Sequence, residues 1–382
     1  METKTELINN LEKFKNLKKD WNEILDKSNN KNIFLTWEWL FEWYRNLACN
    51  MELYIVIIKH SEEIIGIAPF IKNKKNNFKI IEFLGSSFVY SDYLDLIIKK
   101  EFEGIAIKEL FSFLQSNSTD WDIIKLSDFY LDSINKDFIL KEASNNSLIL
   151  KTEEISKCPY ITLPQKMEDF YRGIGHDTRY KIKKSMKKLM HLHKTSIISV
   201  NNQKLLEQAI FMMFELNCKR WSIEHGKGSF YTKNIKDFNL AISKRFLENG
   251  WLRFDYMEVE NKMISYCYNF KFNNKIYGYS TSYNIDKKFI KYSPGKILQI
   301  KCIESAIKEN INEYDMLRGT SKYKYNLTKK ERQLINIFVA KNNLKTKIYF
   351  ISYDIYRILL KVSRKIVPNI IRKKIGERYF RK

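Results

Sequence analysis

Short apolar runs recur along this chain in groups, and each group is followed by a segment with helical spacing. After an N-terminal stretch read as helical, Trp37, Leu40, Phe41, Tyr44 and Leu47 recur at three- and four-residue steps behind Thr36. That spacing predicts an amphipathic helix with a threonine N-cap. LYIVIIK from Leu53, EEIIGIAPFI from Glu62, FKIIEFLG from Phe78 and YLDLII from Tyr93 follow, separated by charged or asparagine-containing turns. Runs of this length and composition predict an antiparallel meander. A helix from Glu101 to Gln115 and a strand beginning at Trp121 (WDIIKL) close the first half.

The second half repeats the order. Helical text covers Gln203 to Trp221 and Asn234 to Glu248, then three strand-like runs cover Trp251 to Val259, Met263 to Phe272 and Lys275 to Asn284. A helix from Gly295, with Ile297, Ile300, Ile303 and Ile307 on one face, delivers the chain to YDML at Tyr314. TDWDIIKL and NEYDMLRG each follow a helix that follows a meander, which predicts an internal duplication with a period of about 200 residues. The fold expected is α/β (α+β): two similar lobes, each a mixed, mostly antiparallel central sheet flanked by helices. The expected boundaries are 1–160, 161–345 and a basic helical segment at 346–382. Between the lobes, CPYITLP from Cys158 reads as a strand running into a helix start. Asp177 reads as the cap of a helix with the apolar stripe Ile182, Met186, Leu189, Met190 and a lysine-rich remainder.

Composition narrows this picture. A chain of 382 residues with 44% hydrophobic positions, 25 Phe and 23 Tyr can fill sizeable cores, and its 12 Gly and 5 Pro leave little material for linkers. The N-terminus lacks the apolar stretch of a signal peptide, and no apolar run reaches the ~20 residues of a membrane span. The five cysteines form no CxxC pair, so neither a disulfide framework nor a zinc site is expected. These features predict a cytoplasmic protein. The net charge of +23 fits coenzyme A, anionic lipids, sugar nucleotides or tRNA as partners, and equally a codon bias toward Lys, Asn and Ile.

Candidate chemistry concentrates between Tyr277 and Lys324. A strand, a turn holding Lys287, Lys288, Lys291 and Gly295, and a helix start can present backbone N–H groups and a helix dipole to a phosphate. Asp315, at a strand end, either handles an ammonium group or pairs with Arg318. His225, in the loop WSIEHGKGSF, has the intrinsic pKa of a general base. His191 and His193 lack a third ligand nearby, so no metal is expected.

FLTWEWLFEWYRNL, CPYITLP with HDTRYKIKKSMKKL, and YSPGKIL with YDMLRGTSKYKYNLT together resemble the CelD/BcsL-type acetyltransferases. These are GNAT relatives associated with cellulose and other polysaccharide biosynthesis, and the likeness runs from about Asn32 to Ala340. It implies tandem GNAT-like lobes, with acetyl-CoA or another acyl-CoA as co-substrate wedged between the strands KIYGYSTSYN and EYDML in the C-terminal lobe only. Tyr283, Tyr292, Ser293, Gly295 and Lys296 would hold the donor, although this loop has one glycine where ordinary GNAT loops have two. Asp315 would serve the amine, Tyr323 would protonate the leaving thiolate, and Arg318 and Lys324 would bind substrate. The reaction implied is N-acyl transfer to an amine, an amino sugar or surface-polysaccharide precursor.

Two other readings stand beside it. A FemABX-like transferase would take its acyl group from aminoacyl-tRNA, which the basic helix from Arg179 to Lys194 favours. A non-catalytic nucleic-acid or membrane binder would have lost the acyl site. The basic C-terminal segment from Tyr353 either docks on the body with its lysines in water or lies on an anionic membrane surface.

Overall fold

The computed structural model describes residues 2–225 and 232–366. Its strands in the first half are β1 (Thr3–Ile8), β2 (Glu52–Leu53), β3 (Ile55–His60), β4 (Glu63–Ala68), β5 (Phe70–Lys75), β6 (Phe78–Phe83), β7 (Ile97–Ile98), β8 (Ile123–Tyr130) and β9 (Ile149–Thr162). The second half adds β10 (Thr195–Ser199), β11 (Leu252–Val259), β12 (Lys262–Phe272), β13 (Lys275–Tyr283), β14 (Glu313–Asp315) and β15 (Glu331–Ala340). A small sheet has the order β1-β3-β4-β7, and an eleven-stranded sheet runs β10-β11-β12-β13-β14-β9-β15-β8-β6-β5-β2.

The expected architecture of mostly antiparallel sheets flanked by helices is present, and among the described strands each half holds one parallel pair. In the first half β6 and β8, joined through the helix Glu103–Ser116, are parallel. In the second, β13 and β14, joined through the helix Pro294–Lys308, are parallel too. A helical crossover is what a parallel pair requires. β15 returns from the end of the chain to lie between β8 and β9, and β9 pairs onward with β14, so one sheet passes through both halves. The expected boundary at residue 160 falls inside β9.

Several local readings change. Residues 3–8, expected to be helical, form β1, whose alternating β-branched and charged positions pair with β3 from Thr3↔His60 to Ile8↔Ile55. The run EEIIGIAPFI splits at Pro69, which has no N–H to continue a ladder, and its two parts enter different sheets. Of YLDLII only Ile97–Ile98 is strand. Asp177 lies within a helix that begins at His176, with Gly175 at the cap position.

The aromatic helix Trp37–Leu47 forms as its spacing requires, with Trp39 N–H donating to the Thr36 hydroxyl. It binds the halves together. The Trp39 ring meets Phe238 at 5.0 Å and Tyr279 at 5.4 Å, and buried Glu42 accepts from Arg245 at 2.6 Å. Trp39 Nε1–H also donates to the Ser91 hydroxyl, which in turn donates to the Gly85 carbonyl. This chain of bonds fixes the loop 85–94. Gly85 opens that loop at φ +96, where a Cβ would stand 2.7 Å from Leu40 Cδ2, so both conformation and space call for glycine.

Candidate active site

The pairing of β13 with β14 ends at Tyr277↔Asp315. Beyond that point the two segments part, and a cleft of about 610 Å³ lies between Gly278–Thr281 on one side and Met316–Gly319 on the other. The first half contributes Phe88, Tyr90 and Asp92 from the loop held by Trp39 and Ser91. Tyr323 and Lys324 complete the wall.

The segment after β14 is held from three directions. Leu317 takes a left-handed backbone at φ 54, and its N–H donates to Asp315 at 2.8 Å. The Lys324 ammonium donates to the carbonyls of Met316, Leu317 and Arg318 at 2.6, 2.8 and 2.7 Å. All three of its protons therefore have acceptors in the chain itself, and burial lowers its pKa from the usual lysine value. Arg318 does not pair with Asp315. Its guanidinium pairs with Asp92 and, at 2.7 Å, with Asp128, and its backbone N–H donates to Asp92 at 2.9 Å. Burial works against this charge, but the two carboxylates hold the guanidinium pKa above its ordinary value.

Asp315 is buried and faces a second cavity of about 450 Å³, which Arg332, Tyr93 and Tyr277 also line. Its carboxylate accepts from the Tyr93 hydroxyl at 2.8 Å and from Arg332 at 3.1 Å. Burial raises its pKa to about 6, with Arg332 opposing the rise. Arg332 also forms two bonds to Glu313 and lies over the Tyr160 ring at 3.8 Å.

Tyr323 stands between the cleft and a small cavity that Lys296, Gln299 and Asn326 also line. Burial raises the pKa of its phenol, with the Thr281 side chain opposing the rise. Tyr283 packs on the helix start, where a Cβ on Gly295 would lie 3.1 Å from its ring. Ser293 adopts the left-handed conformation (φ 54), and its carbonyl already accepts from the Lys296 and Ile297 amides. The helix start thus offers fewer free donors than the sequence implied. Tyr292 turns inward, buried against His193 at 5.8 Å. His225 ends the helix Gln203–His225, and its side chain lies outside the described residues. Among the described residues no group of His, Cys, Asp or Glu is arranged to hold a metal ion.

Tyr283, Gly295, Lys296 and Tyr323 are therefore brought to one rim, while Asp315 is set behind the cleft. Sequence reasoning missed Asp92, Tyr93, Asp128 and Arg332. The signal available was GSSFVYSDYLD, a polar and aromatic loop too long for a hairpin turn, and Asp128 sits in β8 at φ 60, a conformation few residues tolerate.

No curated protein matches the chain at a significant level. Among solved structures, FemX superposes with a TM-score of 0.62 at 10% identity, covering 92% of this chain and 99% of that one. A conserved protein of unknown function from Bacteroides thetaiotaomicron gives 0.55 at 11% identity over 88% and 100%. The C-terminal domain of a putative lysylphosphatidylglycerol synthetase from Agrobacterium fabrum gives 0.52 at 7% over 91% and 97%. Residues 176–325, which hold the cleft's β13 and β14 walls and the helix start at Pro294, match the family described as acetyltransferase (GNAT) domain, and the fold around them is GNAT-like.

Proposed function

We propose that the protein is an N-acyltransferase that uses the cleft between β13 and β14 to bring an acyl-CoA and an amine together. The observation that carries this reading is the parting of the two parallel strands at Tyr277 and Asp315, with Tyr323 at the rim of the resulting cleft. Residues 278–281 present strand backbone to one side of a bound donor, and Gly295, Lys296 and the helix dipole face its phosphate end. Tyr283 packs closely on Gly295, which ties the helix start to the end of β13. As the amine attacks, the C–N bond forms and the C–S bond breaks, the Tyr323 hydroxyl protonates the leaving thiolate, and the proton shed by the amine restores the phenol. Asp315 and Arg318 position the 315–319 segment from behind, through Tyr93 and Asp92. The likeness of the chain's phrases to polysaccharide-associated acetyltransferases supports an amino sugar or related glycan precursor as acceptor. The division into two lobes, 1–160 and 161–345, and a basic helical segment at 346–382, with donor binding confined to the second lobe, belongs to the same proposal.

Calorimetric titration with acetyl-CoA tests it, alongside Gly295→Trp. Binding lost in the variant supports the assignment; absence of binding to the unaltered protein removes the acyl-CoA reading. A second reading is favoured by the exposed basic face of the helix His176–Leu192, where Lys183, Lys184 and Lys187 line one shallow depression. In that reading the donor is an aminoacyl-tRNA, and tRNA affinity would fall steeply with added salt.

A further inference from the structure

The C-terminal helix Leu344–Ile366 has two apolar faces, and among the described residues only one of them is packed. On the inner face, Phe350 and Tyr353 pack on Phe338 with ring centroids 6.0 and 5.4 Å apart, and Tyr349 meets Phe78 at 5.0 Å. The Tyr353 hydroxyl and the Arg357 guanidinium both bond to Glu153 of β9, and Asp354 pairs with Lys151. These contacts fix the rotation of the helix about its axis.

The opposite face therefore points outward. Leu344, Ile348, Ile351, Ile355, Ile358 and Val362 follow one another at steps of four, three, four, three and four residues, and each is between 45% and 74% exposed. At 1.5 Å per residue this makes an unbroken apolar stripe about 27 Å long. Isolated apolar side chains on a surface need no explanation, but a continuous stripe of this size marks a contact. Of the charged positions on the helix, Lys345 pairs with Asp122 and Asp354 with Lys151, Lys347 is exposed beside the stripe, and the sequence adds Lys361, Arg364 and Lys365 towards its end. From residue 344 to 382 the sequence holds twelve Lys and Arg against two Asp and Glu, a net charge of +10.

We infer that this stripe is the protein's docking face for an anionic lipid surface, with the helix lying in the plane of the interface. An apolar face rimmed by lysines inserts into the headgroup boundary while the cations meet lipid phosphates. The same spacing would suit a two-stranded coiled coil, but that arrangement needs opposite charges beside the seam. Here two copies would set lysine against lysine. Membrane docking of this helix is independent of acyl transfer. Among the described residues no helix is long and apolar enough to cross the bilayer, so attachment would be peripheral.

Co-sedimentation of the full chain with phosphatidylcholine vesicles, with and without phosphatidylglycerol, tests the inference. The variant Ile351→Gln/Ile355→Gln leaves the charge unchanged and alters only exposed side chains, so circular dichroism and melting should match the parent. Expected are partitioning onto the anionic vesicles and a loss of at least about tenfold in the double variant. Lys347→Glu should weaken partitioning on the anionic vesicles alone. No partitioning of the parent, or equal partitioning of the double variant, overturns the inference. So does a dimer in light scattering that the double variant abolishes, since the stripe would then belong to a second copy.

Discussion

The Tyr93 hydroxyl donates to the Asp315 carboxylate at 2.8 Å across 222 residues of sequence. The bond joins a loop of the first half to the strand end at which the cleft opens in the second. Because the carboxylate is fully buried, the bond replaces water that Asp315 has lost.

Tyr93→Phe keeps the ring and removes this donor. It should destabilise the protein by about 1–3 kcal/mol at neutral pH, with a smaller loss at acidic pH, where Asp315 holds its own proton. Urea unfolding at two pH values measures both. An equal loss at the two would mean that the ring's packing, and not its hydroxyl, matters.

Asp315 itself sets a pH dependence whose sign follows from its raised pKa. In the folded protein its pKa is about 6, above the usual carboxylate value, because burial disfavours the charge. Its contribution to stability is fully present below the unfolded pKa and is lost as pH rises through about 6, since the folded state binds the extra proton. Asp315→Asn should therefore flatten the stability profile between pH 4 and 6 relative to the parent. Denaturant titrations across that window would show the difference in slope, and parallel profiles would remove Asp315 as its source.

Much of this arrangement is legible in the sequence. The strand β13, the helix at Pro294 and the strand at Tyr314 announce themselves by period and turn chemistry, because each buries a regular apolar face. So does the aromatic helix behind Thr36. The partners of Arg318 were hidden for a physical reason: Asp92 and Asp128 reach it from another part of the chain, and ion pairing leaves no periodic trace in sequence. Asp315 was found by its motif, with pairing to Arg318 as one of two readings; in the structure Arg318 turns to the first half and Arg332, on β15, pairs with Asp315 instead. β15 escaped notice because its alternation is weak; towards its end Ile337 and Val339 join one core cluster and Phe338 and Ala340 another, so it has no solvent face to mark.

Lys324 offers a test between a structural and a substrate-binding lysine. With its three donors directed at three consecutive carbonyls, Lys324→Met should cost about 3 kcal/mol of stability and misplace the 316–319 wall. Lys324→Arg should not rescue it, because a planar guanidinium cannot converge on three carbonyls as an ammonium does. Thermal unfolding and transfer kinetics together decide the matter. A raised KM with unchanged stability would return the lysine to the substrate.

Tyr323 is placed to test the chemistry itself. It lines the cleft together with Thr281, and it also borders the small cavity lined by Lys296. Burial raises its pKa, so the proton is held at neutral pH and can be given to a thiolate as negative charge develops there. Tyr323→Phe removes that proton and little else. The expected outcome is a fall in kcat of about 100-fold with donor affinity nearly unchanged, because the lost interaction forms only as the leaving group departs. Single-turnover kinetics beside calorimetry separate the two quantities. If affinity fell and the single-turnover rate did not, the hydroxyl would be holding the donor, and the acid would have to be sought among the other groups that line the cleft.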